Sequence, residues 1–286
     1  MVKINRLTSK DKLFQQRLNR LADPPKSIYY IGQLFAIEKP TVAIVGSRKP
    51  TAYGQEMTYK LAYELAKRGV TIISGLAIGV DGIAHRAALE AGGATIAVLA
   101  NGLDHIYPRR HYSLAKEILA QNGALISEYS IGMPALRHQF IARNRLIAAL
   151  SEGVIVTEAA TKSGSLHTAQ FALDLGRTVM AVPGLATNPM ASGCLNLLKT
   201  GATLIHDVQD VLFAIGYQET SVAQLPLLAD SPEEEAILSL LRQGTRDGEE
   251  LLIRSSLTPA EFNQTLTLLE ITGKIRALGG NQWAAP

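Results

Sequence analysis

The sequence predicts a doubly wound α/β domain built on a parallel sheet, followed by a small winged-helix domain. Between residues 41 and 207, short apolar runs rich in β-branched residues alternate with longer helical patterns, and turns containing glycine separate them. Repetition of strand, turn and helix is typical of parallel sheets with right-handed crossovers. Residues 231–286 instead contain three helical segments and a hairpin pattern around Gly279-Gly280-Asn281, which together predict a winged helix.

The composition fits a globular protein with one large and one small domain. The chain has 286 residues, of which 47% are hydrophobic and 19% charged, and no apolar run reaches the length that spans a membrane. The basic N-terminal stretch lacks the apolar segment of a secretory signal. The single cysteine, Cys194, excludes an intrachain disulfide framework and a cysteine-cluster metal site. A reducing, cytoplasmic location is therefore predicted.

The net charge of +3 is distributed unevenly along the chain. Lys and Arg outnumber Asp and Glu by 8 to 3 in residues 1–40 and nearly balance them, at 15 to 14, in residues 41–230. In residues 231–286 the acids dominate by 8 to 5. The overall charge therefore says little about nucleic-acid binding, and the placement of individual arginines matters more.

Changes of pattern divide the chain into four predicted parts. Residues 1–40 are expected to form an arm, with one amphipathic helix at residues 12–21 that must end before Pro24 and Pro25. A short apolar segment, residues 28–31, is expected to pack against the next domain. The other parts are a doubly wound domain, a linker and a winged-helix domain, at residues 41–216, 217–230 and 231–286.

Seven strands are predicted in the doubly wound domain. Continuous runs of apolar residues indicate strands that are buried on both faces of the sheet. The runs are TVAIVG at 41–46, VTIIS at 70–74, ATIAVLA at 94–100, ALISE at 124–128, VIVTE at 154–158, TVMAVPG at 178–184 and ATLIHD at 202–207. Ligands of such sheets bind outside the carboxyl ends of the strands, so the loops there are expected to form the site.

Nearly every loop at that edge contains a cation, a glycine or a hydroxyl group. Ser47, Arg48 and Lys49 follow the first strand, and Arg143 and Arg145 follow the fourth. The first turn lacks the G-x-G-x-x-G pattern, and no acidic residue ends the second strand to hold a ribose, which argues against NAD-dependent redox chemistry. The chain also lacks G-x-x-x-x-G-K-[ST], which excludes a P-loop ATPase.

The loop after the fifth strand, residues 160–165, is a candidate anion site. It leads into a helix at about residue 166, and the first turn of a helix has unpaired backbone N–H groups and the positive end of the helix dipole. Ser163, Gly164, Ser165 and Thr168 surround this helix start. The loop by itself is also compatible with an ordinary capped turn, so its assignment depends on the other loops.

Eight motifs in order along residues 41–207 resemble the DprA/Smf family of DNA-processing proteins. The motifs are GSR at 46–48, SGLAIGVDGIAH at 74–85, YPRRH at 107–111, ISE at 126–128, RNRLIA at 143–148, EAATKSGSLHTA at 158–169, AVPG at 181–184 and GCLNLLKTGA at 193–202. The resemblance implies an extended Rossmann domain that binds single-stranded DNA in a positively charged pocket. It also implies a homodimer that passes single strands to the RecA recombinase in natural transformation, with no catalytic activity and no metal or redox cofactor.

The sequence departs from the family pattern in two places. The helical domain that usually opens the family's chain is represented here by the arm alone, and Ile141 stands where the family commonly has Pro. The winged helix varies across the family, so its role does not transfer from the resemblance.

The resemblance assigns a DNA-phosphate site to residues in three loops. Arg48 matches the family's GSR arginine, and residues 163–165 with Thr168 match its phosphate loop, next to which Lys162 adds charge. The predicted binding residues are Ser47, Arg48, Lys49, Phe140, Arg143, Asn144, Arg145, Lys162, Ser163, Gly164, Ser165 and Thr168.

Several of these residues have a structural alternative. Arg48 would instead pair with Glu128 or Glu158, and Phe140 would be a core residue rather than a base-stacking surface. In a helix, Arg143 and Arg145 point about 200° apart, so one is expected to bind and the other to make a structural pair. Asp81 and His85 are four residues apart but have no third ligand, so a helix cap and a hydrogen-bonded histidine are predicted instead of a metal site.

Two rival hypotheses stay open at this point. One is an enzyme that cleaves nucleotides, with Glu128 or Glu158 as its acid–base carboxylate. The other is a shortened DprA-like copy that neutralises a toxin in a phage-defence or toxin–antitoxin operon. It gains support from the third helix of the winged domain, which contains Glu261 and Glu270 but no Lys or Arg. Such a helix is poorly suited to duplex DNA and predicts a protein-contact module.

Overall fold

The computed structural model describes residues 3–34, 39–217, 231–272 and 274–284. The chain divides into two compact units, residues 1–218 and residues 219–286. Most of the predicted linker, from residue 218 to 230, lies outside the described residues. The boundaries of the four predicted parts stay predictions.

The larger unit contains a nine-stranded sheet. Its strands are β1 Asn5–Leu7, β2 Ile28–Gly32, β3 Thr41–Val45, β4 Thr71–Ser74, β5 Thr95–Leu99, β6 Ala124–Ser127, β7 Gly153–Val156, β8 Thr178–Ala181 and β9 Thr203–Leu204. Their spatial order is β1-β2-β6-β5-β4-β3-β7-β8-β9. The seven strands from β3 to β9 pair in parallel, as the sequence predicts.

Seven α-helices flank this sheet in the described part of the unit. They are α1 Ala52–Lys67, α2 Val80–Glu90, α3 Tyr112–Ala120, α4 Arg137–Leu150, α5 Ser165–Asp174, α6 Ser192–Lys199 and α7 Val208–Ala214. Successive residues of a strand face opposite sides, so Val42 and Ile44 pack with α1, α2 and α7, whereas Ala43 and Val45 pack with α4, α5 and α6. Helices therefore cover both faces, which confirms the doubly wound α/β fold.

The described part of the predicted arm contributes two strands to the sheet. β2 pairs antiparallel with β6, and β1 pairs antiparallel with β2 at the outer edge. The predicted amphipathic helix is a π-helical turn at Phe14–Leu18, and the side chains of Phe14 and Leu18 enter the same core cluster as α4. Pairing with β6 gives the apolar β2 its backbone partners and covers an otherwise open edge, which no local pattern could reveal.

The smaller unit has three helices and an antiparallel hairpin. They are α8 Pro232–Arg242, α9 Gly248–Ser255, α10 Pro259–Ile271, β10 Arg276–Gly279 and β11 Gln282–Ala284. Thr258 caps α10 as predicted, and its backbone N–H donates to the carboxylate of Glu261 at 2.9 Å. Leu238, Leu251 and Leu269 are fully buried between the helices. The arrangement confirms the predicted winged helix.

None of the described helices combines the length and the apolar character that crossing a bilayer requires.

Candidate functional site

A cavity of about 900 Å³ opens at the carboxyl edge of the sheet, next to the neighbouring strands β3 and β7. Chain order reverses there, because β4, β5 and β6 extend to one side of β3 while β7, β8 and β9 extend to the other. Adjacent loops at such a switch point diverge and leave a crevice for a ligand. The walls come from the loops after β3, β4 and β7 and from the first part of α4.

Ten of the twelve residues predicted from the sequence line this cavity. They are Ser47, Arg48, Phe140, Arg143, Asn144, Lys162, Ser163, Gly164, Ser165 and Thr168. Two loops and the first part of α4 thus meet in one concave surface, because each of them follows the carboxyl end of a strand at the same edge of the sheet. Whether these residues bind DNA stays a prediction.

The loop before α5 presents backbone to the cavity. Gly164 has helical dihedral angles, φ −63° and ψ −20°, and beyond its own local backbone no described residue has a heavy atom within 4 Å of the position that a Cβ would take. The hydroxyls of Ser163 and Ser165 bond each other at 2.8 Å, and no side chain caps the helix. Asn144 Nδ2 donates to the carbonyl oxygen of Gly164 at 3.2 Å, so α4 supports the loop. The space beside Gly164 is therefore open at the positive end of the helix dipole, where the backbone N–H of Ser165 donates to Ser163 Oγ at 3.4 Å.

Arg48 is exposed at the mouth of the cavity and makes no ion pair with a described residue. Its guanidinium lies 5.6 Å from the ring centroid of Phe140. Both acids that could have paired with it have other partners, since Glu128 accepts from Arg145 at 2.8 Å and Glu158 accepts from the backbone N–H of Thr51 at 3.0 Å. The charge of Arg48 is therefore available to a ligand.

Phe140 is partly packed and partly open to the cavity, and whether it stacks a base stays a prediction. It is half-buried, and its ring meets Tyr107 edge-on at 5.5 Å between centroids. The guanidinium of Arg143 lies 6.0 Å from the same centroid. One part of the ring thus packs in the wall, and the remainder faces the cavity beside Arg48.

Arg143 is a buried structural arginine at the base of the cavity, with 4% of its surface exposed. One terminal nitrogen donates to the carbonyl oxygen of Gly75 at 2.7 Å and to that of Val98, and Nε donates to Asn144 Oδ1 at 3.3 Å. Burial lowers the pKa of Arg143 to about 10, so the side chain stays charged at neutral pH. Its hydrogen bonds join the ends of β4 and β5 at the base of the cavity. Whether its charge also contributes to DNA binding stays a prediction.

Arg145 and Lys49, which were also predicted to bind DNA, do not line the cavity. Arg145 donates to both carboxylate oxygens of Glu128, at 2.8 and 3.0 Å, just beyond the end of β6. This is the structural pair expected for one of the two arginines, because their directions on α4 diverge. Lys49 is exposed, and its backbone N–H bonds the hydroxyl of Ser47 at 3.0 Å.

The sequence did not assign Arg137, Tyr107 and Asp81 to the binding site, but all three line the cavity. Arg137 begins α4 three residues before Phe140, and this helical spacing could have revealed it. Tyr107 comes from the loop after β5, and no spacing signal points to it. Asp81, expected as a helix cap, instead accepts hydrogen bonds from the backbone N–H groups of Gly75 at 3.1 Å and Ala77 at 3.3 Å. Burial raises the pKa of Asp81, and the nearby positive charge of Arg143 opposes that rise.

His85 is a buried, hydrogen-bonded histidine, as expected. Nδ1 lies 2.7 Å from Thr95 Oγ1, whose hydroxyl donates to the carbonyl oxygen of Ile72 at 2.8 Å. Burial, together with the charges of His111 and Arg143, lowers the pKa of His85 to about 3. Among the described residues, the one group with metal-like spacing is His206, Asp207 and Asp210, which lies at the start of α7 and does not line the cavity.

We expect His85 to make the larger unit sensitive to acid. The unfolded chain binds a proton at His85 below about pH 6.5, whereas the native state resists protonation until a much lower pH, so acid favours unfolding throughout that window. Between about pH 7 and about pH 5 this amounts to about 2 kcal/mol of stability. Thermal melts at both pH values should therefore show a smaller acid-induced loss for His85→Gln than for the unmodified chain. Equal acid-induced losses of stability in His85→Gln and the unmodified chain would contradict the conclusion that burial keeps His85 unprotonated in the folded state.

The fold and the cavity together define an extended Rossmann-type protein with a cationic pocket at the carboxyl edge of its sheet, joined to a winged helix. The family model described as DNA recombination-mediator protein A matches residues 5–216, and that of the DprA winged helix domain matches residues 221–281. The chain belongs to the DprA/Smf family of DNA-processing proteins.

Individual relatives agree with this membership. Protein Smf of Escherichia coli is 44% identical over 222 residues, which are 78% of this chain and 58% of that protein. DNA processing protein DprA of Bacillus subtilis is 41% identical over 209 residues, covering 73% and 70% of the two chains. This chain thus spans about three fifths of the length of the Escherichia coli protein.

Two solved structures are similar to the larger part of the chain. DNA processing protein A from Streptococcus pneumoniae has 38% identity and a TM-score of 0.69, with 74% of each chain covered. DNA processing protein A from Helicobacter pylori has 37% identity and a TM-score of 0.66, covering 74% of this chain and 95% of that one. The Helicobacter pylori structure is described for its single-stranded DNA binding mode.

Proposed function

We propose that this protein binds single-stranded DNA, without sequence preference, in the cavity next to β3 and β7. The observation that carries the proposal is the convergence of Arg48, Lys162 and the uncapped start of α5 on one cavity. A single strand offers phosphates to such cations and exposed bases to neighbouring rings. The described single-strand binding of the Helicobacter pylori relative supports the same assignment.

Each wall of the cavity has a distinct proposed task. The backbone at Gly164 and the hydroxyls of Ser163 and Ser165 hold a phosphate at the positive end of α5. Arg48 binds a phosphate through its planar fork of donors, and the ring of Phe140 beside it offers a surface for a base. Contacts of these kinds do not read base edges, so affinity depends on charge and stacking rather than on sequence.

Binding without catalysis is part of the proposal. The nucleotide-cleavage alternative needs Glu128 or Glu158 in the cavity, but Arg145 engages the first and Thr51 the second, and neither lines it. Asp81 is the one carboxylate among the described lining residues, and its hydrogen bonds to the turn of residues 75–77 give it a structural task.

The wider role follows the family. We propose that the protein is a cytoplasmic homodimer that passes incoming single strands to a RecA-type recombinase. The smaller unit is proposed as a protein-contact module, because α10 has no Lys or Arg and its Glu261 is engaged by Thr258. A toxin is the alternative partner for this unit.

Comparison of single-stranded with duplex DNA of equal length tests the binding proposal. We expect clear preference for the single strand, and the logarithm of the binding constant should fall with the logarithm of salt concentration by about 0.7 for each phosphate neutralised. Fluorescence anisotropy with a labelled oligothymidylate measures both. An affinity that does not change with salt concentration, or a higher affinity for the duplex, would refute the proposal.

Gly164→Ala tests whether a phosphate contacts the backbone at the start of α5. The backbone angles suit any residue, and the new methyl group meets nothing within 4 Å in the protein, so the melting temperature should not fall. A phosphate seated on this backbone would be crowded by the methyl group, and affinity should drop about 10-fold. Unchanged affinity would place the phosphate elsewhere.

A further inference from the structure

A second exposed surface adjoins the cavity through Tyr107. Tyr107 lines the cavity and is also 51% exposed, so it stands where the cavity meets the outer surface. The chain continues from it through a short 3-10 helix, Arg109–His111, into α3. Arg109, Arg110 and Tyr112 are all exposed on this segment, Tyr112 by 54%. Cations and an aromatic ring thus extend outward from the mouth of the cavity.

The two arginines of this surface have charges that no described residue neutralises. Neither Arg109 nor Arg110 makes an ion pair or a side-chain hydrogen bond with any residue that the structure describes. Lys116, one helical turn after Tyr112, places its ammonium 4.7 Å from the centroid of that ring. Glu117 is five residues after Tyr112 in the helix, so it points about 140° away from the tyrosine. The face that bears Tyr112 is therefore positively charged.

A buried histidine fixes this surface to the domain. His111 has 6% of its surface exposed, and its Nδ1 donates to the carbonyl oxygen of Leu76 at 2.8 Å. A Cβ on Gly82 of α2 would come within 2.6 Å of the His111 ring, which shows how closely that ring packs on the helix. Arg110 and Tyr112 flank this anchor directly in sequence. Their positions are thus held before any ligand arrives, which lowers the entropy cost of binding.

We propose that single-stranded DNA leaving the cavity continues over Tyr107 onto a second subsite, formed by Arg109, Arg110, Tyr112 and Lys116. Phosphates bind the two arginines, and a base stacks on the exposed part of the Tyr112 ring, a combination that single-strand binders use to follow a polynucleotide. This subsite rests on the proposed function of the cavity and extends its footprint. Its ligand is the same strand, at nucleotides beyond those in the cavity.

The consequence is a length dependence that the cavity alone does not produce. A strand of about 4 nucleotides fills the cavity, whereas one of about 16 nucleotides also reaches the subsite. The double variant R109A/R110A should therefore bind the long oligothymidylate about 10- to 100-fold more weakly, and its salt slope should be smaller by about 1.4. Affinity for the short oligothymidylate should stay unchanged. Tyr112→Ala should also weaken binding of the long oligothymidylate and leave binding of the short one unchanged. Tyr112→Phe, which keeps the aromatic ring, should bind the long oligothymidylate as the unmodified chain does.

A matched control removes the same charge elsewhere. Lys67 and Lys199 are exposed at the ends of α1 and α6. Each of these helices precedes a parallel strand, so its last residues lie at the amino edge of the sheet, opposite the cavity. The double variant K67A/K199A should leave the affinity and salt slope of both oligothymidylates within about 2-fold of the unmodified chain, because general attraction between distant charges is screened.

The outcomes separate this inference from the binding proposal itself. If the unmodified chain binds neither oligothymidylate, the cavity proposal fails and the subsite fails with it. If Arg48→Ala weakens both lengths while R109A/R110A changes neither affinity nor salt slope, the cavity proposal holds and the subsite alone is refuted. Equal losses for R109A/R110A and K67A/K199A would also refute it, because net charge would then explain the effect. Melting temperatures confirm that each variant is folded.

Discussion

Substitution of Arg143 by Ala is expected to lower the free energy of unfolding of the larger unit by about 2–5 kcal/mol. The guanidinium is almost fully buried, where it donates to the carbonyl oxygens of Gly75 and Val98. Its removal leaves two buried acceptors without a donor, and it also takes a positive charge away from the buried Asp81. The space left by the side chain adds a cavity penalty.

Chemical denaturation of the full chain measures this effect, and Arg145→Ala is its matched control. Arg145 lies two residues along the same helix, but its partner Glu128 is nearer the surface and can be rehydrated when the pair is broken. We expect a loss of about 1 kcal/mol for that variant. Equal losses for the two variants would contradict the view that Arg143 is the arginine that holds the strand ends together.

Substitution of Arg48 by Ala should weaken binding of single-stranded DNA about 10- to 100-fold without lowering the melting temperature. Arg48 is exposed, and the ring of Phe140 is its main described side-chain contact, so the fold does not depend on its charge. The effect should appear with short and long oligothymidylates alike, because Arg48 lines the cavity. The affinity of Arg48→Lys should lie between that of the unmodified chain and that of Arg48→Ala, since an ammonium keeps the charge but lacks the planar fork of donors.

Lys49 is the control for this variant. It is the next residue, it is exposed, and its loss changes the net charge by the same amount, yet it does not line the cavity. Lys49→Ala should therefore change the affinity by no more than about 3-fold, through screened attraction alone. If both variants lose affinity equally, the binding depends on general charge near the first loop, and the specific place given to Arg48 is wrong.

The sequence alone determined the doubly wound α/β fold and the edge of the sheet where the cavity lies. Buried parallel strands have an unbroken apolar pattern, as in residues 41–46 and 154–158, and this local signal does not depend on distant partners. Once the strands are parallel, their carboxyl ends must share an edge. That is why Arg48 and the loop of residues 163–165 were predicted together although more than a hundred residues separate them.

Only the tertiary structure decided which cations at that edge face the cavity and what the first forty residues do. Arg143 and Arg145 have the same residue type and similar surroundings in sequence, but one is directed toward the carbonyls of β4 and β5 and the other toward Glu128. β2 likewise finds its partner in β6, about a hundred residues away. Side-chain direction and strand pairing of this kind depend on contacts that are distant in sequence, and no local pattern encodes them.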